Sequence, residues 1–167
     1  VIHSNVAQLL NQQVGHEFAA SLQYVAHSTW FESEALPELA RYFAKQADEE
    51  RLHAMKMIKF LNDTDQPVAI PGIPAPACTF ASVEEAVKLA REQEIRVTRQ
   101  IEAIYDEAAK NSDRLTQNFL QWFLEEQVEE VASMDALLKV IARAGGDMFR
   151  VEDYIAREGH PEDNPAQ

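Results

Sequence analysis

The sequence predicts an all-α protein, a four-helix bundle with one long crossover between helices two and three and a short fifth helix near the C-terminal end. Three observations predict it. Only 5 residues are Gly and 7 are Pro, and most of the Pro falls between Pro67 and Pro76. Both are poor helix formers, so their scarcity elsewhere leaves long helices unbroken. Apolar residues recur at steps of three and four along four separate stretches. The links between those stretches are short, then long, then short again.

The first helix is expected from about Ser4 to Ser33, a stretch without Pro. The second opens at Leu36-Pro37, where the missing N–H of Pro costs nothing in the first turn, and continues to about Asn62. The third begins at Ser82-Val83-Glu84-Glu85, which has the form of a capping box, and runs to about Lys110. Asn111-Ser112-Asp113 breaks it. A fourth helix then reaches about Ala144, where Gly145-Gly146 supplies a left-handed stop. A short amphipathic piece, Met148 to Arg157, follows. Residues 1–158 are expected to form one domain, with 159–167 as a polar tail.

Links of about three residues make helices one and two, and helices three and four, antiparallel hairpins. Roughly 19 residues, Asp63 to Ala81, separate helices two and three. Extended, they could cover ~60 Å, more than the ~40 Å length of one helix. The link can therefore cross the whole bundle and leave helices two and three parallel. A disordered linker between two hairpins is the competing reading, but neither hairpin alone would bury its apolar face.

A formal charge of −13 argues against a nucleic-acid partner and suits cations. Cys78 is the single cysteine, so no disulfide can form within the chain. No apolar run approaches the ~20 residues needed to span a bilayer, and the N-terminal stretch lacks the order of a signal peptide. A cytoplasmic protein without a membrane partner is expected.

The functional signal lies in the apolar seams. Helix one reads Leu10, Val14, Glu17, Ser21, Tyr24; helix two reads Leu39, Phe43, Gln46, Glu50, His53, Met57, Phe60. Helix three reads Val83, Val87, Ala90, Glu94, Val97, Ile101, Ile104; helix four reads Leu120, Phe123, Gln127, Glu130, Met134, Leu137, Ile141. Polar groups interrupt every seam near its middle. Glu17 and Glu50 stand about 18 and 15 residues from the first turn, a mismatch of only ~5 Å. Glu94 and Gln127 have nearly the same relation to the second turn. All these groups should share one layer.

The halves also repeat in chemistry. A shift of 77 residues carries Glu17 to Glu94, Glu49 to Glu126, Glu50 to Gln127 and His53 to Glu130. One such Glu would ordinarily face solvent or an ion-pair partner. Several in phase on four seams are different, because buried carboxylates without compensation cost several kcal/mol each and repel one another into protonation. Bound cations resolve this. Oxygen ligands with one imidazole suit iron or manganese better than structural zinc, and Glu50-x-x-His53 places both side chains on one helical face.

These residues carry a resemblance. Glu17, Tyr24, Glu50-x-x-His53, Glu94 and Gln127-x-x-Glu130, with Gln121-Trp-Phe-Leu-Glu-Glu-Gln127 and the short fifth helix, resemble the bacterial non-haem ferritins from Ile2 to about Glu158. The resemblance implies a ferritin-like fold and a di-iron ferroxidase centre. Glu17, Glu50 and His53 would hold one iron, and Glu50, Glu94 and Glu130 the second, with Gln127 close by. It further implies a third iron position at Glu49, Glu126 and Glu129; by themselves those three read as a solvated acidic face. Where bacterioferritins carry their haem methionine, this chain has Arg51, so haem is not expected. Bacterioferritins, rubrerythrin-like proteins and di-iron oxygenases also repeat Glu-x-x-His on helix four, where this chain has Gln127-x-x-Glu130.

Other residues read less sharply. Tyr24 could hydrogen-bond a ligand, donate an electron or fill the core. Trp122 is expected against a neighbouring subunit, His3, His16, His27 and His160 at surfaces or interfaces, Met134 in the core, and Cys78 as an inert thiol. The implied function is iron storage and detoxification. Ferrous iron would be oxidised by dioxygen or hydrogen peroxide, and ferric mineral kept inside a hollow homo-oligomeric shell of 24 subunits with cubic symmetry. A di-iron oxidase or peroxidase without mineral storage is the alternative.

Overall fold

The computed structural model describes residues 2–159. Its elements are α1 (Ser4–Ser33), α2 (Pro37–Asp63), α3 (Val83–Lys110), α4 (Arg114–Ala144) and α5 (Met148–Glu158), with no strand among the described residues. The expected boundaries hold to within a residue or so. Most of the polar tail, including His160, lies outside the described residues.

The helix ends follow local chemistry. Ser82 Oγ accepts from the N–H of Glu85 at 3.1 Å, and Asp113 Oδ1 accepts from the N–H of Thr116 at 3.0 Å, so α3 and α4 are capped from within. Leu36 precedes α2 and offers no cap. Its role is taken from a distance: the Glu152 carboxylate of α5 accepts from the N–H groups of Glu38 and Leu39 at 3.0 and 2.9 Å. This docks the fifth helix onto the positive end of the second. At the C-termini, α1, α2 and α3 each turn through a left-handed residue, Ala35, Asp65 and Ser112. The following N–H reaches back to Phe31, Leu61 and Ala108 respectively, a Schellman closure made without glycine. Helix α4 uses the expected glycine, Gly145 at φ 59°, and α5 ends on Gly159 at φ 68°.

Two apolar clusters fill the bundle, one on each side of a polar layer. Phe31, Leu39, Phe43, Val87, Ala90, Leu137 and Ile141 belong to one, which α5 closes with Val151 and Ile155. Leu10, Val14, Met57, Leu61, Val97, Ile101, Leu120 and Phe123 belong to the other. The first halves of α2 and α3 share one cluster and their second halves share the other. The two helices are therefore parallel, as the long crossover requires.

The crossover is extended and strapped to α1. Asn11 donates to the carbonyl of Pro67 and accepts from the N–H of Ala69, at 3.0 and 2.7 Å. Gln23 does the same with both backbone groups of Ala77, at 2.8 and 2.9 Å. Between them Pro71 lies on Gly15, where a Cβ would stand 2.2 Å from the ring. Each amide thus replaces the strand partner that an extended chain would otherwise lack.

Candidate metal centre

The layer between the clusters holds the polar side chains expected from the seams. Glu17, Glu50, His53, Glu94, Gln127 and Glu130 are all buried, none more than 4% exposed. Each lies one or two turns from large apolar residues on its own helix, so their burial follows from the packing of those neighbours. Glu17, Glu50 and His53 converge: one ligand atom from each lies within 4.8 Å of the others. Among the described residues this is the only such group of three. His53 Nδ1 stands 3.3 Å from Glu50 Oε2 and 3.9 Å from Glu17 Oε2.

No hydrogen-bond donor reaches Glu17 Oε2 or either oxygen of Glu50. Burial is the main force on these groups, raising Glu17 to about 7 and Glu50 well above the usual carboxylate range. For Glu50 the charges of Glu94, Glu17 and Glu130 push further in the same direction. Glu17 is partly relieved by Glu50 and by Gln13, whose Nε2 donates to its Oε1 at 2.8 Å. Such a cluster is satisfied by protonation or by cations, and the donor set of carboxylates with one imidazole fits iron.

The second hairpin's carboxylates are held differently. Tyr24 O–H donates to Glu94 Oε1 in a short bond, which with burial keeps the phenol protonated. Gln127 Nε2 donates to Glu94 Oε2 at 3.1 Å and to its carbonyl at 3.2 Å. Glu94 is nevertheless raised, because burial outweighs these bonds. Glu130 Oε2 accepts from Gln46 Nε2 at 2.8 Å. Of the three residues matched to a third position, Glu49 is buried and accepts from the same Gln46 nitrogen at 3.3 Å. Glu126 is half-buried and Glu129 exposed, and neither joins the convergent group.

Sequence reasoning gave no role to Gln46 or Gln13. Gln46 lies on the α2 seam one turn before Glu50, which was its signal. Gln13 stands beside the apolar seam of α1, four residues before Glu17, and only the structure shows its contact.

One expectation is corrected. His27 is fully buried rather than at a surface: its Nδ1 and Nε2 lie 2.8 Å from the carbonyls of Gln23 and Ala86. Phe80 of the crossover covers it with ring centroids 4.5 Å apart, and the reach of that loop was not readable from α1 alone. Trp122 packs within its own chain, half-buried, with Lys56 Nζ 3.3 Å from its ring centroid and His53 edge-on at 5.5 Å. His3 and His16 are exposed, Met134 is buried and Cys78 is exposed.

Comparison with known proteins agrees with this arrangement. A ferritin-like domain matches residues 7–144. Ferritin BfrB of Mycolicibacterium smegmatis is 45% identical over 150 residues, covering 90% of this chain and 83% of that one. The bacterial non-heme ferritin of Staphylococcus aureus is 33% identical over 147 residues, covering 88% and 89%. An open pore ferritin from the archaeon Archaeoglobus fulgidus superposes with a TM-score of 0.90 at 28% identity, over 94% of this chain and 97% of that one. On fold, polar layer and these likenesses together, this chain belongs to the ferritin family.

Proposed function

We propose that this chain oxidises ferrous iron at the buried layer and stores the ferric product inside a hollow shell of 24 copies. The observation that carries the reading is the convergence of Glu17, Glu50 and His53 with Glu50 stripped of hydrogen-bond donors. A carboxylate so placed is unstable as an anion until cations reach it. Glu50 faces both halves of the layer and would bridge two ferrous ions. Glu17 and His53 would complete one ion's ligands; Glu94 and Glu130 would complete the other's, with Gln127 beside them.

Two ferrous ions supply two electrons, which reduce dioxygen to the peroxide level or hydrogen peroxide to water. The carboxylates stabilise the growing ferric charge. Tyr24 and Gln127 hold Glu94 in place through the change. Glu49, Glu126 and Glu129 would pass iron toward the interior as a third position. Arg51 stands where a haem methionine would be needed, and the proposal includes no haem. Exposed apolar side chains such as Phe149 on α5, 84% accessible, and Ile70 on the crossover are what a subunit that packs against copies of itself presents.

The test is aerobic ferrous loading of the purified protein, followed by size separation and iron analysis. The proposal expects a large hollow particle retaining many irons per chain. A dimer that oxidises iron but keeps only a few ions would replace storage with a di-iron oxidase or peroxidase.

A further inference from the structure

Gln13 lies on α1 one turn before Glu17, and its side chain is buried. Positions four apart share a helical face, so its amide stands directly beside the Glu17 carboxylate. Its Nε2 donates to Glu17 Oε1 at 2.8 Å and to Gln100 Oε1 of α3 at 3.2 Å. Both amide hydrogens are thereby used. Its Oε1 stands 3.2 Å from His16 Nδ1. A carbonyl oxygen can only accept, so that nitrogen carries a proton and donates it to Gln13. Turned over, the amide would set its oxygen against two acceptors, Glu17 and Gln100, and its N–H groups against a donor. One orientation satisfies all three partners, and it fixes Gln13 as a donor to Glu17.

The consequence falls on Glu17. Gln13 is the one amide that donates to it, and its other oxygen, Oε2, accepts nothing. Oε2 is the oxygen turned toward His53 Nδ1, at 3.9 Å. One oxygen is therefore tied to the protein and the other is left for an ion. Its neighbours differ: Glu50 has no donor on either oxygen, and Glu94 has donors on both. The internal repeat does not supply this arrangement twice. The position 77 residues after Gln13 is Ala90, and Glu94 takes its donors from α1 and α4 instead. We propose, on the reading that Glu17, Glu50 and His53 hold one ferrous ion, that Gln13 is a positioning residue which makes Glu17 a one-oxygen ligand. Gln100 anchors the amide from α3, so the placing of this ligand is tied to the packing of α1 against α3. A carboxylate held in this way meets the ion without a search among rotamers, and it does not swing to grip the ion with both oxygens.

The experiment uses the iron-free assembled protein and Co(II), whose visible absorbance reports its ligands without any turnover. Co(II) is titrated into wild type, Glu17→Ala, Gln13→Met and Gln100→Met. The binding event that Glu17→Ala removes marks the ion that Glu17 holds. Met keeps the length and unbranched shape of Gln but donates nothing, so Gln13→Met deletes the hydrogen bond with little change in packing. It should weaken the marked event about tenfold or more, as loss of an outer partner of a metal site does. The absorbance of that ion should also shift, because Glu17 is then free to bring its second oxygen to it. A merely structural Gln13 would lower the denaturation midpoint and leave that absorbance unchanged. Gln100→Met, at a half-buried residue, keeps the Gln13–Glu17 bond and should weaken the event by less; should Gln13→Met not assemble, this variant decides alone. Unchanged affinity and absorbance, with Glu17→Ala still losing the event, would overturn the positioning role alone. If Glu17→Ala loses no event, the assignment of an ion to Glu17 fails, and the role of Gln13 with it.

Discussion

In the first hairpin, Glu17 Oε2 and both oxygens of Glu50 accept no hydrogen bond, and His53 turns Nδ1 toward them. In the second, Glu94 accepts from Tyr24 and Gln127, and Glu130 accepts from Gln46. The two halves carry corresponding positions 77 residues apart, so the contrast comes from their neighbours rather than from their register. The first set leaves buried carboxylate oxygens without donors, which the proposed ferrous ions would satisfy. The second is already held by hydrogen bonds. The crossover adds to the asymmetry: α1 receives it on Asn11, Gly15 and Gln23, while the matching positions of α3 are Lys88, Glu92 and Gln100.

The largest effect should follow Glu50→Ala, which removes the carboxylate both halves face. Rapid ferrous oxidation should fall at least about a hundredfold in stopped-flow absorbance, because even outer partners of a metal site are worth 10–100-fold. A smaller loss would mean that the first hairpin is not the centre of the site.

The next effect concerns stability. Burial raises Glu17 from 4.5 to about 7, so the folded chain holds its proton more tightly than the unfolded chain does. Stability from this group is therefore complete below about pH 4.5 and is lost as pH rises through about 7, a change of roughly 3 kcal/mol. Metal-free protein should unfold more easily in denaturant at pH 8 than at pH 5, and bound metal should flatten that dependence. An equal slope with and without metal would break the contrast between the two sets.

Tyr24→Phe should slow oxidation by about tenfold while leaving binding at Glu17, Glu50 and His53 intact, because Tyr24 holds Glu94 and not those three. Anaerobic ferrous titration separates the two readouts. Gly15→Ala should cost about 1–3 kcal/mol by overpacking against Pro71, seen as a lower denaturation midpoint. Glu92→Ala, its counterpart on α3, lies on an exposed face and should cost almost nothing. The smallest effect is expected from Glu129→Gln, whose side chain is exposed: the initial oxidation rate should not change, and only later iron uptake should slow.

The helices and the polar layer were legible because both depend on periodicity, and periodicity is local. Glu17, Glu50, His53, Glu94, Gln127 and Glu130 could be found by walking each seam. Their hydrogen-bond partners could not all be found that way. The contact of Gln46 with Glu130 crosses from α2 to α4, and Glu152 caps a helix more than a hundred residues away in sequence. His27 looked peripheral because the crossover that buries it has no periodic signal at all. Ala35, Asp65 and Ser112 adopt left-handed geometry where sequence rules favour glycine, because each closing N–H meets a helical carbonyl.

The most direct test of the account is ferrous oxidation by Glu17→Ala/Glu94→Ala, followed by ferric absorbance beside wild type in air. Wild type should show a fast phase that saturates near two ferrous ions per chain, and the double variant should lose that phase while keeping its assembly. If the variant oxidises iron as fast as wild type, the buried layer is not where the reaction occurs.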